Sequence, residues 1–328
     1  MNDDHYGSYA LDTFFNINTD KPSGCNPIRI TFQHTNMLYL TPEPWNDYEL
    51  IDSGDFEKLE RFGKYITIRP EPQAVWDRSL SQKEWQKRAN VTFVYQSNNS
   101  GIWDKHQHVP EEWTIKHERA GISLCLRLTS FKHVGLFPEQ AVNWEYINHS
   151  VRNLGVPEPK FLNLFAYTGA ASVAAKAAGA RVTHVDSVKQ VVTWANENLT
   201  LSGLSDVRWI VEDARKFVQK EIKRGATYNG IILDPPAFGV GAKGENWKLE
   251  RDIKLLLKDV AQILDRDKYF MILNTYSLSF SSLILENLIN DIFKDFSAKK
   301  EYGELYLRDS FDKKLPLGVF ARFSTAVK

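Results

Sequence analysis

Four stretches of the 328-residue chain, each following a short apolar run, carry side chains fit to hold a nucleoside and to present a nitrogen for reaction. Asn163 to Gly169 reads NLFAYTG, a turn with one glycine that opens a helix, and the first N–H groups and dipole of such a helix favour a carboxylate or phosphate. A dinucleotide site asks for the extra glycines of GxGxxG, so NAD and FAD are disfavoured. Asp186 closes the next apolar run, where a carboxylate accepts from both hydroxyls of a ribose and equally serves the start of the following helix. Glu212 and Asp213 close a third run; a carboxylate there accepts from an adenine amine or caps the helix that follows. The fourth stretch, LDPPAFG from Leu233 to Gly239, has two prolines that stiffen the turn and withhold donors. Asp234 and a backbone carbonyl are left as fixed acceptors beside the Phe238 ring, an arrangement suited to a planar amine.

These stretches act together only if one sheet brings their ends to one edge, and the apolar periods supply that sheet. Val142, Trp144, Tyr146, Ile147 and Val151 predict a helix between Pro138 and Asn153, broken by GVPEP at Gly155 to Pro159. Beyond it the spacing predicts strand 161–167, helix 170–178, strand 182–185, helix 189–201, strand 207–211, helix 215–224, strand 230–233, helix 247–264, strand 269–273 and helix 283–296. Successive strand-then-helix units imply a parallel sheet with helices on both faces, and ligands bind such sheets at the carboxyl ends of the strands. Two apolar stripes are fit to dock on it: Val188, Val191, Val192, Ala195 and Leu199, then Leu285, Leu288, Ile289, Ile292, Phe293 and Phe296. Glu304 to Leu307 and Val319 to Phe323 read as strands joined by the turn-rich Asp309 to Gly318, a closing antiparallel hairpin. The expected sheet has seven strands, with only the last-but-C-terminal hairpin strand antiparallel. Upstream, apolar residues alternate from Tyr39 to Phe137, which reads as β-rich. Three regions follow: a loosely structured arm over 1–36, a β-rich domain over 37–133 and an α/β domain over 134–328.

The 41 Lys and Arg balance 41 Asp and Glu, which excludes a chain that grips nucleic acid by bulk positive charge and leaves room for a local basic groove. Two segments offer one: Arg215, Lys216, Lys220, Lys223 and Arg224, and the residues Lys243, Lys248, Arg251, Lys254 and Lys258 after DPPAF. Each also reads as a solvated helix face. Cys25 and Cys125 are too few for a disulfide framework, and His106 and His108 lack companions at ligand spacing, so no metal is expected. The acidic N-terminus, with its first lysine at Lys21, is unlike a signal peptide, and no apolar run nears the ~18 residues of a membrane span. A soluble, cytoplasmic protein is the expectation.

Taken in order, NLFAYTG, HVD, VED and DPPAF resemble the class I S-adenosylmethionine-dependent methyltransferases. With GLFPEQ (Gly135 to Gln140) ahead of them they look most like the large-subunit ribosomal RNA methyltransferase group and its uncharacterised relatives. The close resemblance covers Val134 to Gly239 and extends more loosely to the closing hairpin and to Asp52–Trp76. It implies a Rossmann-like doubly wound α/β fold with S-adenosylmethionine as cofactor. It also implies that Phe165, Ala166, Tyr167, Thr168 and Gly169 meet the methionine part, that Asp186 with Ser187 holds the ribose, and that Asp213 with Ala214 meets the adenine. Gln140 closes the pocket, while Asp234, Pro235, Pro236 and Phe238 hold the accepting group.

Methyl transfer from a sulfonium is an in-line displacement that needs alignment and a dry pocket more than a strong base. Cytosine C5 enzymes use a cysteine, which in the resembling members follows the fifth strand. Here that stretch reads LNTYS, Leu273 to Ser277, so a nitrogen acceptor is expected, in a base of RNA and ribosomal RNA first. The residues leave open a methyltransferase acting on a small molecule or protein, and a catalytically silent nucleoside-binding module.

Overall fold

In the computed structural model, described over residues 37–326 apart from 98–99, 242–243, 245 and 278, strands and helices alternate from Lys160 to Ile292 as the apolar periods require, except where two short strands follow Leu233. The arm over 1–36, with Cys25, lies outside the described residues. The chain begins with β1 (Leu38–Leu40) and then builds β2 (Tyr48–Gly54), β3 (Glu57–Phe62), β4 (Tyr65–Pro70), α1 (Gln82–Arg88), β5 (Val91–Tyr95), β6 (Gly101–Lys105), β7 (Glu112–His117) and β8 (Ile122–Arg127). A single 3₁₀ turn, Pro138–Gln140, leads into α2 (Ala141–Asn153). The alternating part runs β9 (Lys160–Leu164), α3 (Ala170–Ala177), β10 (Arg181–Asp186), α4 (Lys189–Leu201), β11 (Arg208–Val211), α5 (Ala214–Lys223) and β12 (Gly230–Leu233). It continues with β13 (Phe238–Val240), β14 (Asn246–Lys248), α6 (Leu249–Ile263), β15 (Phe270–Thr275), α7 (Ser282–Ile292), β16 (Lys300–Arg308) and β17 (Lys314–Ser324).

The large sheet has the order β1-β16-β17-β15-β12-β9-β10-β11, so among the described residues this sheet has eight strands rather than seven. The added strand is β1, which pairs in parallel with β16 although its residues belong by sequence to the β-rich region. The reversed strand is β17, the C-terminal one, antiparallel to both β15 and β16. The physical reason is the connection: the crossover through α7 returns β16 parallel to β15, and only the hairpin after it reverses the chain. That hairpin is longer than its apolar residues imply, and its turn is confined to 309–313.

The central strands β9, β12 and β15 are buried almost throughout, as expected where helices cover both faces. On one face α6 buries Leu249, Ile253, Leu256, Leu257, Val260 and Ile263, each worth about 1.5–3 kcal/mol of apolar burial. The α7 stripe is buried at Leu285, Ile289, Phe293 and Phe296, although the helix itself stops at Ile292. The α4 stripe is buried at Val192, Ala195 and Leu199 but is wider than expected: Trp194 and Asn198 are buried as well, while Val188, ahead of the helix, is exposed. The cause is a second surface to cover, since α4 packs on β8 through Trp194 Nε1, which donates to the Cys125 carbonyl at 2.9 Å, and through Asn198 Oδ1, which accepts from the Cys125 N–H at 2.8 Å.

The β-rich part contains a five-stranded sheet, β2-β3-β4-β5-β6, and the hairpin β7-β8. Sequence alternation gave no sign of α1, yet its signals are present in Ser81 and Glu84, which form a reciprocal capping box, and in Trp85, which is fully buried. Residues 247 and 248, expected to begin a helix, belong instead to β14, which pairs antiparallel with β13, the strand that follows the double proline.

Candidate active site

Register is what assembles the site. Leu164 of β9 is level with Val185 of β10 and with Leu233 of β12, and Leu233 is level with Leu273 of β15. The next residues along these strands, Phe165, Asp186, Asp234 and Asn274, therefore emerge at one height on the carboxyl edge, beside the place where strand order turns between β12 and β9. A cavity of about 1350 Å³ opens there, and all fourteen residues singled out from the sequence line it.

The turn after β9 is more strained than one glycine suggests, because Phe165 (φ 57°), Tyr167 (φ 50°) and Gly169 (φ 83°) all adopt left-handed backbone. Surrounding groups hold it in place. Ala166 N–H donates to the Val185 carbonyl at 3.1 Å, Tyr167 N–H to Asp186 Oδ2 at 2.9 Å, Thr168 Oγ1 to the Gly135 carbonyl at 2.7 Å, and Asn198 Nδ2 to the Thr168 carbonyl at 2.8 Å. At Gly169 a side chain is also excluded by space, since a Cβ there would sit 2.7 Å from Ala195 Cβ.

Asp186 accepts from Tyr167 N–H through one oxygen and from Val188 N–H through the other, so one carboxylate steadies both the turn and the entry to α4. Burial raises its pKa, while the hydrogen bonds from Val188, Tyr167 and Ser187 pull the other way. Asp213 is the N-cap of α5 and accepts from Lys216 N–H at 2.9 Å. Ser187 and Ala214 stand beside these two carboxylates on the cavity wall. Gln140 accepts at Oε1 from Asn143 Nδ2 at 2.7 Å and is largely buried.

At the double proline, Asn274 Nδ2 donates to Asp234 Oδ1 at 3.0 Å, and Trp247 Nε1 ties down the Pro236 carbonyl at 2.7 Å. Burial pushes the Asp234 carboxyl up to about 6 against the lowering effect of Asn274. Phe238 is 68% exposed, at the mouth of the cavity, with the Lys248 ammonium 5.8 Å from its ring centroid.

Sequence reasoning missed much of the remaining lining. Lys58, Arg69, Glu71, Lys132 and His133 come from the β-rich region, Glu139 from the 3₁₀ turn, and Asn274 and Tyr276 from the end of β15. Burial lifts the Glu139 carboxyl to about 8; Lys58 opposes the shift, and Asp234 and Glu71 add to it. Burial with the Arg69, Lys132 and Lys58 charges keeps His133 neutral, down at about 3. Glu139 sits in GLFPEQ next to Gln140, so its position was readable although its role was not.

The two basic segments are less basic in the fold than in the sequence. Arg215 pairs with Asp259, Lys220 with Glu212, Arg224 with Glu221, and Arg251 with Asp252. Lys254 and Lys258 are exposed on α6, and Lys243 lies outside the described residues. His106 Nε2 is within hydrogen-bond distance of Thr92 Oγ1, at 2.9 Å, and Cys125 is a buried free thiol. Among the described residues no group of three or more His, Cys, Asp or Glu could hold a metal ion, and no helix is long and apolar enough to cross a membrane.

A strained one-glycine turn after the first parallel strand, carboxylates after the second and third, and a reversed last strand define a Rossmann-like enzyme for a nucleoside-containing cofactor. The family model for S-adenosylmethionine-dependent methyltransferases matches residues 79–287, and the chain belongs to that family. It is 32% identical over 296 residues to the ribosomal RNA large subunit methyltransferase K/L of Shewanella frigidimarina, covering 78% of this chain and 40% of that protein. The corresponding protein of Methylococcus capsulatus is 32% identical over 237 residues, 70% of this chain and 30% of its own length. The chain thus spans less than half of these relatives. The crystal structure of an S-adenosylmethionine-dependent methyltransferase from Agrobacterium tumefaciens is 37% identical, with a TM-score of 0.83 over 88% of this chain and 93% of that one. The structure of SMU.776 complexed with S-adenosylhomocysteine shares the fold, at 21% identity and a TM-score of 0.66 over 84% of this chain and 75% of that one. S-adenosylmethionine is the cofactor of this enzyme. The cavity suits it, with carboxylates available for hydroxyl and amine donors and a turn where Gly169 leaves no room for a side chain.

Proposed function

We propose that this methyltransferase modifies a nitrogen of an RNA base, ribosomal RNA being the favoured acceptor, and that it acts in the cytoplasm. In this reading residues 134–328 hold the cofactor and residues 37–133 form a cap on the acceptor side. The observation that carries it is the Asp234 turn: a half-buried carboxyl raised to about 6 by desolvation, positioned by Asn274 inside a rigid double-proline loop, in a cavity with no cysteine among its described lining residues. The names of the Shewanella and Methylococcus relatives point to the same class of acceptor.

When bound, the cofactor supplies an electrophilic methyl group on a sulfonium. Phe165 to Gly169 would line its methionine part, Asp186 with Ser187 its ribose, Asp213 with Ala214 its adenine, and Gln140 would close the pocket. Asp234 accepts a hydrogen bond from the acceptor amine, turns its lone pair toward the methyl, and takes the proton as the amine loses it; a base near pKa 6 suits that task at neutral pH. Trp247 fixes the Pro236 carbonyl with one hydrogen bond, and Asp234 is the charged acceptor of the turn. Pro235 and Pro236 hold the loop without offering donors, and Phe238 stacks on the accepting ring at the cavity mouth. A base within folded RNA must leave its stack to arrive there.

The test is transfer of labelled methyl groups from S-adenosylmethionine into RNA, protein and metabolite fractions of a cell extract, with base analysis of the labelled RNA. Label in an N-methylated base is the expected result. Label confined to protein or metabolites, or 5-methylcytosine as the product, would overturn the proposal.

A further inference from the structure

The wall that the β-rich region gives to the cavity holds more cations than its acids neutralise. Arg69 Nη2 lies 2.7 Å from Glu60 Oε2, and Lys58 Nζ lies 3.3 Å from Glu71 Oε2. Glu71 also accepts from the Tyr276 hydroxyl at 2.7 Å, and all four charged partners are nearly inaccessible. Two carboxylates are thereby committed to two cations. Lys132 is the third cation on this wall, and its ammonium donates to the Pro70 carbonyl at 3.3 Å. No carboxylate among the described residues is ion-paired with it; the acid that acts on it most, Glu71, is the one already shared by Lys58 and Tyr276. His133 beside it is neutral. Lys132 is half-buried, so its ammonium is partly withdrawn from water without a carboxylate, which is costly, and it has three N–H donors, of which the Pro70 carbonyl takes one.

The residue before it points to what completes the site. Phe131 is 55% exposed and lines the same cavity as Lys132, as does the exposed Phe238. An aromatic face beside an unneutralised cation is how single-stranded nucleic acid is held, bases on rings and phosphate on the charge. We infer that Lys132 receives a phosphate of the nucleotide that carries the accepting base, so that the β-rich region selects phosphorylated acceptors. This rests on the RNA reading above. The phosphate restores neutrality to the wall and gives the ammonium a charge-assisted bond that the Pro70 carbonyl does not supply.

The experiment is calorimetry on the full chain saturated with S-adenosylhomocysteine, titrated with the four nucleoside 5′-monophosphates and the four matching nucleosides. The best monophosphate should bind about tenfold tighter than its nucleoside, the scale of one charge-assisted hydrogen bond. Lys132→Gln should abolish that gain and Lys132→Arg should keep it. Affinity for S-adenosylhomocysteine, measured alongside, reports both folding and ownership of the charge. A tenfold loss in Lys132→Gln would assign the ammonium to the cofactor carboxylate and overturn the inference. So would equal binding of nucleosides and monophosphates, no measurable binding of any monophosphate, or a gain that survives in Lys132→Gln. If the phosphate gain is seen and vanishes in Lys132→Gln while labelled methyl groups never enter RNA, the RNA proposal falls and the phosphate contact stands.

Discussion

Asp186 and Asp234 close the two strands that flank β9, both are drawn toward the neutral form by burial, and they end up suited to opposite tasks. Three backbone N–H groups oppose the shift at Asp186, whereas a single side-chain amide opposes it at Asp234. Hydrogen bonds to the charged form hold a carboxyl ionised, and desolvation without them turns it into a proton acceptor near neutral pH. In the proposed assignment the end of the cavity at Asp186 offers fixed acceptors to the cofactor, and the end at Asp234 offers the accepting group a carboxylate able to take up a proton. What separates them is the local supply of donors, which depends on whether the strand runs on into a helix entry, as at Asp186, or into a turn of two prolines, as at Asp234.

The largest expected effect comes from removing the second of the pair. Asp234→Ala should lower methyl transfer by about 10²–10⁴-fold, the range for losing a positioned base, with calorimetric affinity for S-adenosylhomocysteine retained; full activity would erase the distinction between the two aspartates. Asp186→Ala should weaken S-adenosylhomocysteine binding by about 1–3 kcal/mol, and an unchanged affinity would remove Asp186 from the ribose role. The contrast also has a pH signature, carried by Glu139. Its carboxyl rises from 4.5 to about 8, so the folded state favours the protonated form, and the stability it contributes is complete below about 4.5 and is lost as pH rises toward 8. Chemical denaturation across that window should show stability falling by about 1.4 kcal/mol per pH unit at most from this group, with a flatter profile in Glu139→Gln; identical profiles would mean that Glu139 is ionised in the fold. The smallest effect is expected at the cavity mouth, where Phe238→Ala should raise the KM for the RNA acceptor by an amount equivalent to about 0.5–1.5 kcal/mol of stacking, and an unaltered KM would place the accepting ring elsewhere.

The four motifs at the strand ends were legible because each is local. Each of NLFAYTG, HVD, VED and DPPAF is continuous in sequence, and an apolar run followed by a turn former is enough to place it at a strand end. The strain at Phe165 and Tyr167 was not legible, since neither residue type signals left-handed backbone. It is imposed by Asp186, Asn198 and the Gly135 carbonyl, which the chain brings to the turn from other elements.

Residue order alone determined the alternation of strands and helices, the four motifs and the absence of a cysteine from LNTYS, because these follow from periodicity and from side-chain chemistry over a few residues. Tertiary structure decided the rest. The addition of β1 to the sheet edge and the reversal of β17 depend on pairing between segments remote in sequence. The charged wall of Lys58, Arg69, Glu71 and Lys132 exists only because β3, β4 and the loop after β8 are brought to the rim of the large sheet. Burial then decided the chemistry: the same pairing that lowers the solvation of Glu139 and Asp234 raises their pKa values, a property that no stretch of sequence carries by itself.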